Sequence, residues 1–193
     1  MNVYETILTR RTIRKFKQEQ VSEEILKKLV DAARVAPQGA NLQPLKYAVV
    51  NDKTLLEAIF PTTAWAGYIK PAGDPDENER PMAYIVVLVD TEVKKADYDV
   101  DAGAAVQNIL LTAIEEGLGS CWLGAINRNK IAEILNIPQK YLIHTMVALG
   151  YPAEVPVMED EDGSIKYYKD DEGVLHVPKR KLQDIIFFNN NIV

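Results

Sequence analysis

The sequence predicts an α+β fold, a central mixed sheet flanked by helices, in one domain spanning residues 1–193. Three observations predict it. Several segments carry apolar residues at helical spacing behind capping residues. Ala83–Val89 is instead a continuous apolar, β-branched run, as a strand buried on both faces requires. The order of these elements is not a regular strand–helix alternation, no GxGxxG follows a strand, and no GxxxxGK[ST] occurs, which disfavours a doubly wound sheet.

Taken in order, Asn2 with Glu5 three residues on predicts a capped short helix over Val3–Thr9. Ser22 starts a second helix, with Glu23 and Glu24 at the positive end of its dipole. Ile25, Leu26, Leu29, Val30 and Ala33 give that helix an apolar face, and Pro37 stops it. Tyr47–Val50 predicts a strand and Lys53–Phe60 a short helix. Thr62–Pro81, with five Gly and Pro residues and no clean period, predicts a long irregular connection of the kind that often covers a site. Asp101–Glu116 is the longest helix expected, Ala-rich and nearly all apolar, ended by Gly117 and Gly119. Such a helix belongs at the centre of a domain or of a subunit interface. Ser120–Ile126 and His144–Leu149 predict strands, Lys130–Leu135 a helix, and Glu159–Val174 a polar loop. The apolar Leu182–Phe188 follows near the end of the chain.

The 193 residues suffice for one sizeable core, and 47% apolar with 26% charged residues is ordinary for a globular chain. A net charge of −6 opposes sequence-independent nucleic-acid binding. One cysteine, Cys121, excludes an intramolecular disulfide and suits a reducing compartment. Met1–Arg14 is charged and amphipathic, no apolar run reaches the ~20 residues of a membrane span, and a cytoplasmic location is expected.

On this acidic chain, Arg10-Arg11-Thr12-Ile13-Arg14 packs three permanent cations and a hydroxyl into five residues. Guanidinium forks bind phosphate oxygens in pairs, so the cluster favours a small anion. Such a run can also be a solvated basic end to a helix. Three arginines beside one distant carboxylate, Glu5, nevertheless repel unless an anion sits among them. Pro37-Gln38-Gly39-Ala40-Asn41-Leu42-Gln43-Pro44 is a polar turn bracketed by prolines, whose amides fit the edge of a planar heterocycle or simply make a connection. Together the two segments suggest a site for a phosphorylated aromatic cofactor.

In order and spacing, RRTIR followed by PQGANLQP resembles the opening signature of the nitroreductase-like flavoprotein family. The run from Asp101 to Gly124 resembles that family's long central helix, strand and glycine turn, and Lys179-Arg180-Lys181 its late basic residues. The resemblance extends from Tyr4 to about Asn190. It implies an FMN-dependent oxidoreductase that takes electrons from NADH or NADPH and passes them, by a ping-pong exchange, to nitroaromatics, quinones or similar electron-poor aromatics. It implies that Arg10, Arg11, Thr12 and Arg14 hold the phosphate, ribityl chain and pyrimidine edge, helped by Lys179 and Arg180. Pro37, Gln38, Gly39 and Asn41 would line the ring, and Gln43 would reach the pyrimidine side. Leu123 and Gly124 would run along the flavin by their backbone. It further implies a homodimer with the cofactor in the interface and a C-terminal arm crossing to the partner subunit. The chain departs from larger members in its compact Thr62–Pro81 segment and in Trp122-Leu123-Gly124-Ala125, where many have a Pro-x-Glu-Gly turn.

Other chemistries fail on inventory. His144 and His176 stand far apart and, with one cysteine, give no metal-ligand spacing. No GxSxG elbow exists. Cys121 lacks a neighbouring base or cation and reads as an inert buried thiol, and His144 as a hydrogen-bonded core residue. Asp99 and Asp101 read as an acidic helix start. Three other readings are compatible with the residues: a flavin store or sensor without turnover, a family member specialised for dehalogenation or flavin processing, and an interaction domain whose RRxxR docks an acidic partner.

Overall fold

A computed structural model describes residues 1–189. Asn190–Val193, the end of the expected C-terminal arm, lie outside the described residues. Helix α1 is Val3–Thr9, closed by the reciprocal Asn2–Glu5 capping box. Helix α2, Glu23–Arg34, is capped by Ser22 and buries Leu26, Leu29 and Ala33. Strand β1 is Leu45–Val50, and α3 is Lys53–Ile59, continued by a 3₁₀ turn over Phe60–Thr62. The connection that follows contains one more short 3₁₀ turn, Glu77–Glu79. Strand β2, Ala83–Asp90, is buried at every position. Helix α4, Asp99–Glu115, is the longest element, followed by β3 (Gly119–Leu123), α5 (Arg128–Leu135) and β4 (Tyr141–Gly150).

The central sheet has the order β1-β2-β4-β3. All three ladders are antiparallel, and a parallel relation enters only at the β3 edge, where Thr12 bridges Ser120. One face of the sheet packs on α2 and α4 through Leu29, Ala105, Val106 and Ile109, against Ile85, Val87 and Val147 of the strands. The other face holds Phe16, Ile59, Trp65, Tyr84, Ile131 and Met146. Both faces being covered explains why β2 reads as an unbroken apolar run.

The segment expected as a polar loop is in part a second sheet. Strands β5 (Val157–Asp160), β6 (Tyr168–Lys169) and β7 (Leu175–Lys179) assemble in the order β5-β7-β6, parallel on one side of β7 and antiparallel on the other. His176 holds it together. Its Nδ1 lies 2.8 Å from a Glu159 carboxylate oxygen, its Nε2 3.1 Å from one of Asp170, and its ring stacks on Tyr168. The contacts are between strands distant in sequence, and acidic, glycine-broken segments carry no strand period.

Candidate functional site

The RRTIR segment leaves α1 in extended form and lies along the outer edge of β3. The Ile13 amide donates to the Ser120 carbonyl at 2.9 Å. Gly119 permits the approach, since a Cβ there would sit 2.8 Å from Ile13. The apolar Ile13 points into the core, while Arg10 and Arg14 are half-buried beside it. Arg11 is only 7% exposed and donates to the Arg10 carbonyl. None of the three arginines forms an ion pair among the described residues. Burial lowers the pKa of Arg10, and burial followed by repulsion from Arg10 lowers that of Arg11. Desolvated, crowded cations without a counter-charge are the condition that a bound anion relieves.

The Arg14 backbone amide donates to Glu154 at 2.6 Å, and its guanidinium lies 4.9 Å above the Tyr167 ring. Arg14 also lines a cavity of about 290 Å³ with Trp65, Lys70, Leu123 and Gly124. The structure thus brings together the first basic motif and the glycine turn after β3. Lys179 and Arg180 stand exposed at and just beyond the end of β7 and do not line this cavity.

The PQGANLQP turn is elsewhere in the protomer. It enters β1, at the opposite edge of the sheet. Four strand spacings separate the Thr12 segment from β1, about 19 Å. The register adds an offset along the strands: β1 begins opposite Val89, which pairs Leu142, whereas Ser120 pairs Leu149. Seven residues of strand are about 23 Å, so the two motifs lie roughly 30 Å apart on the sheet diagonal.

The turn is nonetheless rigidly built. Ala40, Asn41 and Gln43 all have positive φ, near 50°, a region that costs side-chain-bearing residues energy unless the surroundings hold them there. The holding residue is Asp101. Only 3% exposed, it accepts from the Gly39 amide at 2.8 Å and from Lys94 Nζ at 2.6 Å. Gln38 Oε1 is buried without a partner, while Pro37, Asn41 and Gln43 are exposed. Sequence reasoning read Asp101 as a helix-start acid. Its second role depends on a contact across 62 positions, which no local signal in the sequence reports.

His144 is half-buried in β4, where the β2 pairing shifts register, with Nε2 2.8 Å from Asp99 and Nδ1 unpartnered. Cys121 is buried, and burial pushes its thiol up to about 12, as an inert core residue requires. Among the described residues no group of His, Cys, Asp and Glu could hold a metal.

The α+β fold thus carries a desolvated arginine cluster on one sheet edge and an amide-rich strained turn at the other. A family profile described as "Nitroreductase family" matches residues 7–151. The chain is 35% identical over 155 residues to a candidate NADH dehydrogenase/NAD(P)H nitroreductase of Archaeoglobus fulgidus, covering 77% of this chain and 84% of that one. An FMN-dependent nitroreductase structure from Clostridium difficile superposes with a TM-score of 0.68 at 28% identity, over 96% of this chain and 98% of the other. A candidate nitroreductase from Desulfovibrio desulfuricans, solved in complex with FMN, gives 0.68 at 28% identity over 84% and 93%. The chain belongs to the nitroreductase family.

Proposed function

We propose that the protein is an FMN-dependent oxidoreductase that takes electrons from NADH or NADPH and reduces electron-poor aromatics such as nitroaromatics and quinones. The observation that carries this reading is the Arg10–Arg11–Arg14 set, without an ion pair among the described residues, whose Arg14 lines one cavity with Leu123 and Gly124. Bound FMN supplies the hydride and electron transfer between donor and acceptor. The protein's part is binding and electrostatics. Arg10, Arg11 and Arg14 neutralise the phosphate and the pyrimidine edge, Thr12 lies among them, and the backbone at Leu123 and Gly124 lies along the ring. Positive charge at the pyrimidine edge favours the reduced, anionic ring.

The separation along the sheet diagonal supports the reading of the remaining contacts. Pro37, Gln38, Gly39, Asn41 and Gln43 reach such a ligand only from a second copy of the chain, so the working unit is a homodimer with FMN in the interface. Exposed apolar side chains support this: Val3, Tyr4, Ile7 and Leu8 on α1, Val100 on α4, and Leu182, Ile185, Phe187 and Phe188 near the C-terminus. Lys179 and Arg180 join the phosphate site through the same assembly. No described helix is long and apolar enough to cross a membrane. The free thiol of Cys121 supports a cytoplasmic location.

Anaerobic titration of the yellow protein with NADH and NADPH tests the reading. Bleaching of the flavin, followed by recovery on adding a nitroaromatic or quinone, is expected. A flavin that neither nicotinamide bleaches identifies a store or sensor, and a colourless protein that ignores added FMN refutes flavin binding itself.

A further inference from the structure

A second cavity, of about 790 Å³, lies on the same sheet face as Trp65 but away from the arginine cluster. Its apolar wall is Leu56, Phe60 and Met82. Two of its lining residues carry donors that nothing in the protein satisfies. The Tyr84 side chain is fully buried and its hydroxyl has no partner. Burial pushes its phenol well above the ordinary value, so it remains a donor at neutral pH. The Nε of Arg80 is likewise buried and unpartnered. Its guanidinium lies 4.4 Å over the Phe60 ring and pairs with no carboxylate among the described residues. Leaving a buried donor unmade costs about 1–3 kcal/mol, more for a charged one, so two in one cavity call for an acceptor.

We propose that this cavity is a second binding site, for a small monocarboxylate with a flat apolar body, held by Arg80 and Tyr84. The guanidinium fork matches a carboxylate in pairs, and the phenol completes the acceptor's shell. Phe60, Leu56 and Met82 receive the apolar body, in a volume within the range of small-molecule sites. Glu23, Asp52, Glu57 and Glu77 also line the cavity and are exposed, beside one exposed cation, Lys53. Their charge repels phosphates and other multiply charged anions while one inward carboxylate is tolerated. The site meets the first cavity where Phe60 stacks on Trp65, with ring centroids 6.0 Å apart. It stands independently of the flavin reading.

Equilibrium dialysis of the purified protein against radiolabelled benzoate tests it. Saturable binding is expected, undiminished by inorganic phosphate and retained in Arg14→Ala. Arg80→Gln should weaken it at least tenfold, and Tyr84→Phe, which removes one oxygen, about tenfold. No saturable binding at millimolar benzoate overturns the proposal. So does binding that both variants leave unchanged, that phosphate displaces, or that Arg14→Ala abolishes, since the last would place benzoate in the first cavity.

Discussion

Replacing Asp101 by alanine removes the one carboxylate that joins α4 to the strained turn, and it should be the most damaging single change near the second half of the site. Two bonds are lost together, from the Gly39 amide at 2.8 Å and from Lys94 at 2.6 Å. Breaking one side of a buried ion pair costs about 3–5 kcal/mol. Lys94 keeps 14% of its side chain exposed, so water recovers part of that, and the lower end, about 3 kcal/mol, is the working value. In a chain of this size each kcal/mol moves Tm by about 2–4 °C, so Tm should fall by roughly 6–12 °C. The effect has a pH signature. Burial alone would raise the Asp101 pKa, but the Lys94 and Gly39 bonds and the Lys94 charge outweigh it and lower the pKa. A depressed folded pKa gives stability that is fully present above the unfolded value, near 4, and is lost as pH falls through the folded one. Thermal unfolding followed by circular dichroism should therefore show a constant wild-type–variant gap at neutral pH that closes on acidification. A gap below 2 °C at pH 7, or one that widens on acidification, would refute the reasoning.

Three further outcomes are expected. Cys121, its thiol pushed up to about 12 by burial, should resist alkylation in the native protein at pH 8 and react quickly once unfolded; rapid native labelling would contradict its placement. Hydrogen bonds donated to Glu159 and then to Asp170 raise the His176 pKa, so its contribution to the small sheet is present below about 6.5 and lost as pH rises through the folded value. Hydrogen exchange in β5–β7, corrected for intrinsic rates, should accelerate across that range in the wild type and not in His176→Gln. Deleting Leu182–Val193 should weaken the dimer and lower FMN retention together, because Leu182 and Phe188 are 68% and 70% exposed in the isolated protomer; a stable, fully yellow truncated dimer would show the arm to be dispensable.

Most of the local structure was legible because local signals decided it. The Asn2–Glu5 box, the Ser22 cap and the unbroken Ala83–Val89 run predicted α1, α2 and β2 to within a residue or so. What the sequence hid depends on contacts distant along the chain. The β5–β7 sheet is closed by His176 across 17 residues to Glu159, and its strands are too short to show a period. The same holds for the site. RRTIR and Leu123–Gly124 were expected together and line one region, while the distance of PQGANLQP from both follows from strand order, which no motif reports.

The claim that the site is completed by two copies is tested most directly by complementation. Chains carrying Arg10→Ala and Arg14→Ala lose one half of the site, and chains carrying Asp101→Ala lose the other. Each alone should retain little FMN. Unfolded together in equal amounts and refolded, half of the dimers are mixed, and each mixed dimer regains one intact site of its two, restoring about a quarter of the wild-type flavin content. Flavin content that stays at the level of the separate variants, in a preparation shown to contain mixed dimers, would place the whole site within one chain and contradict the account.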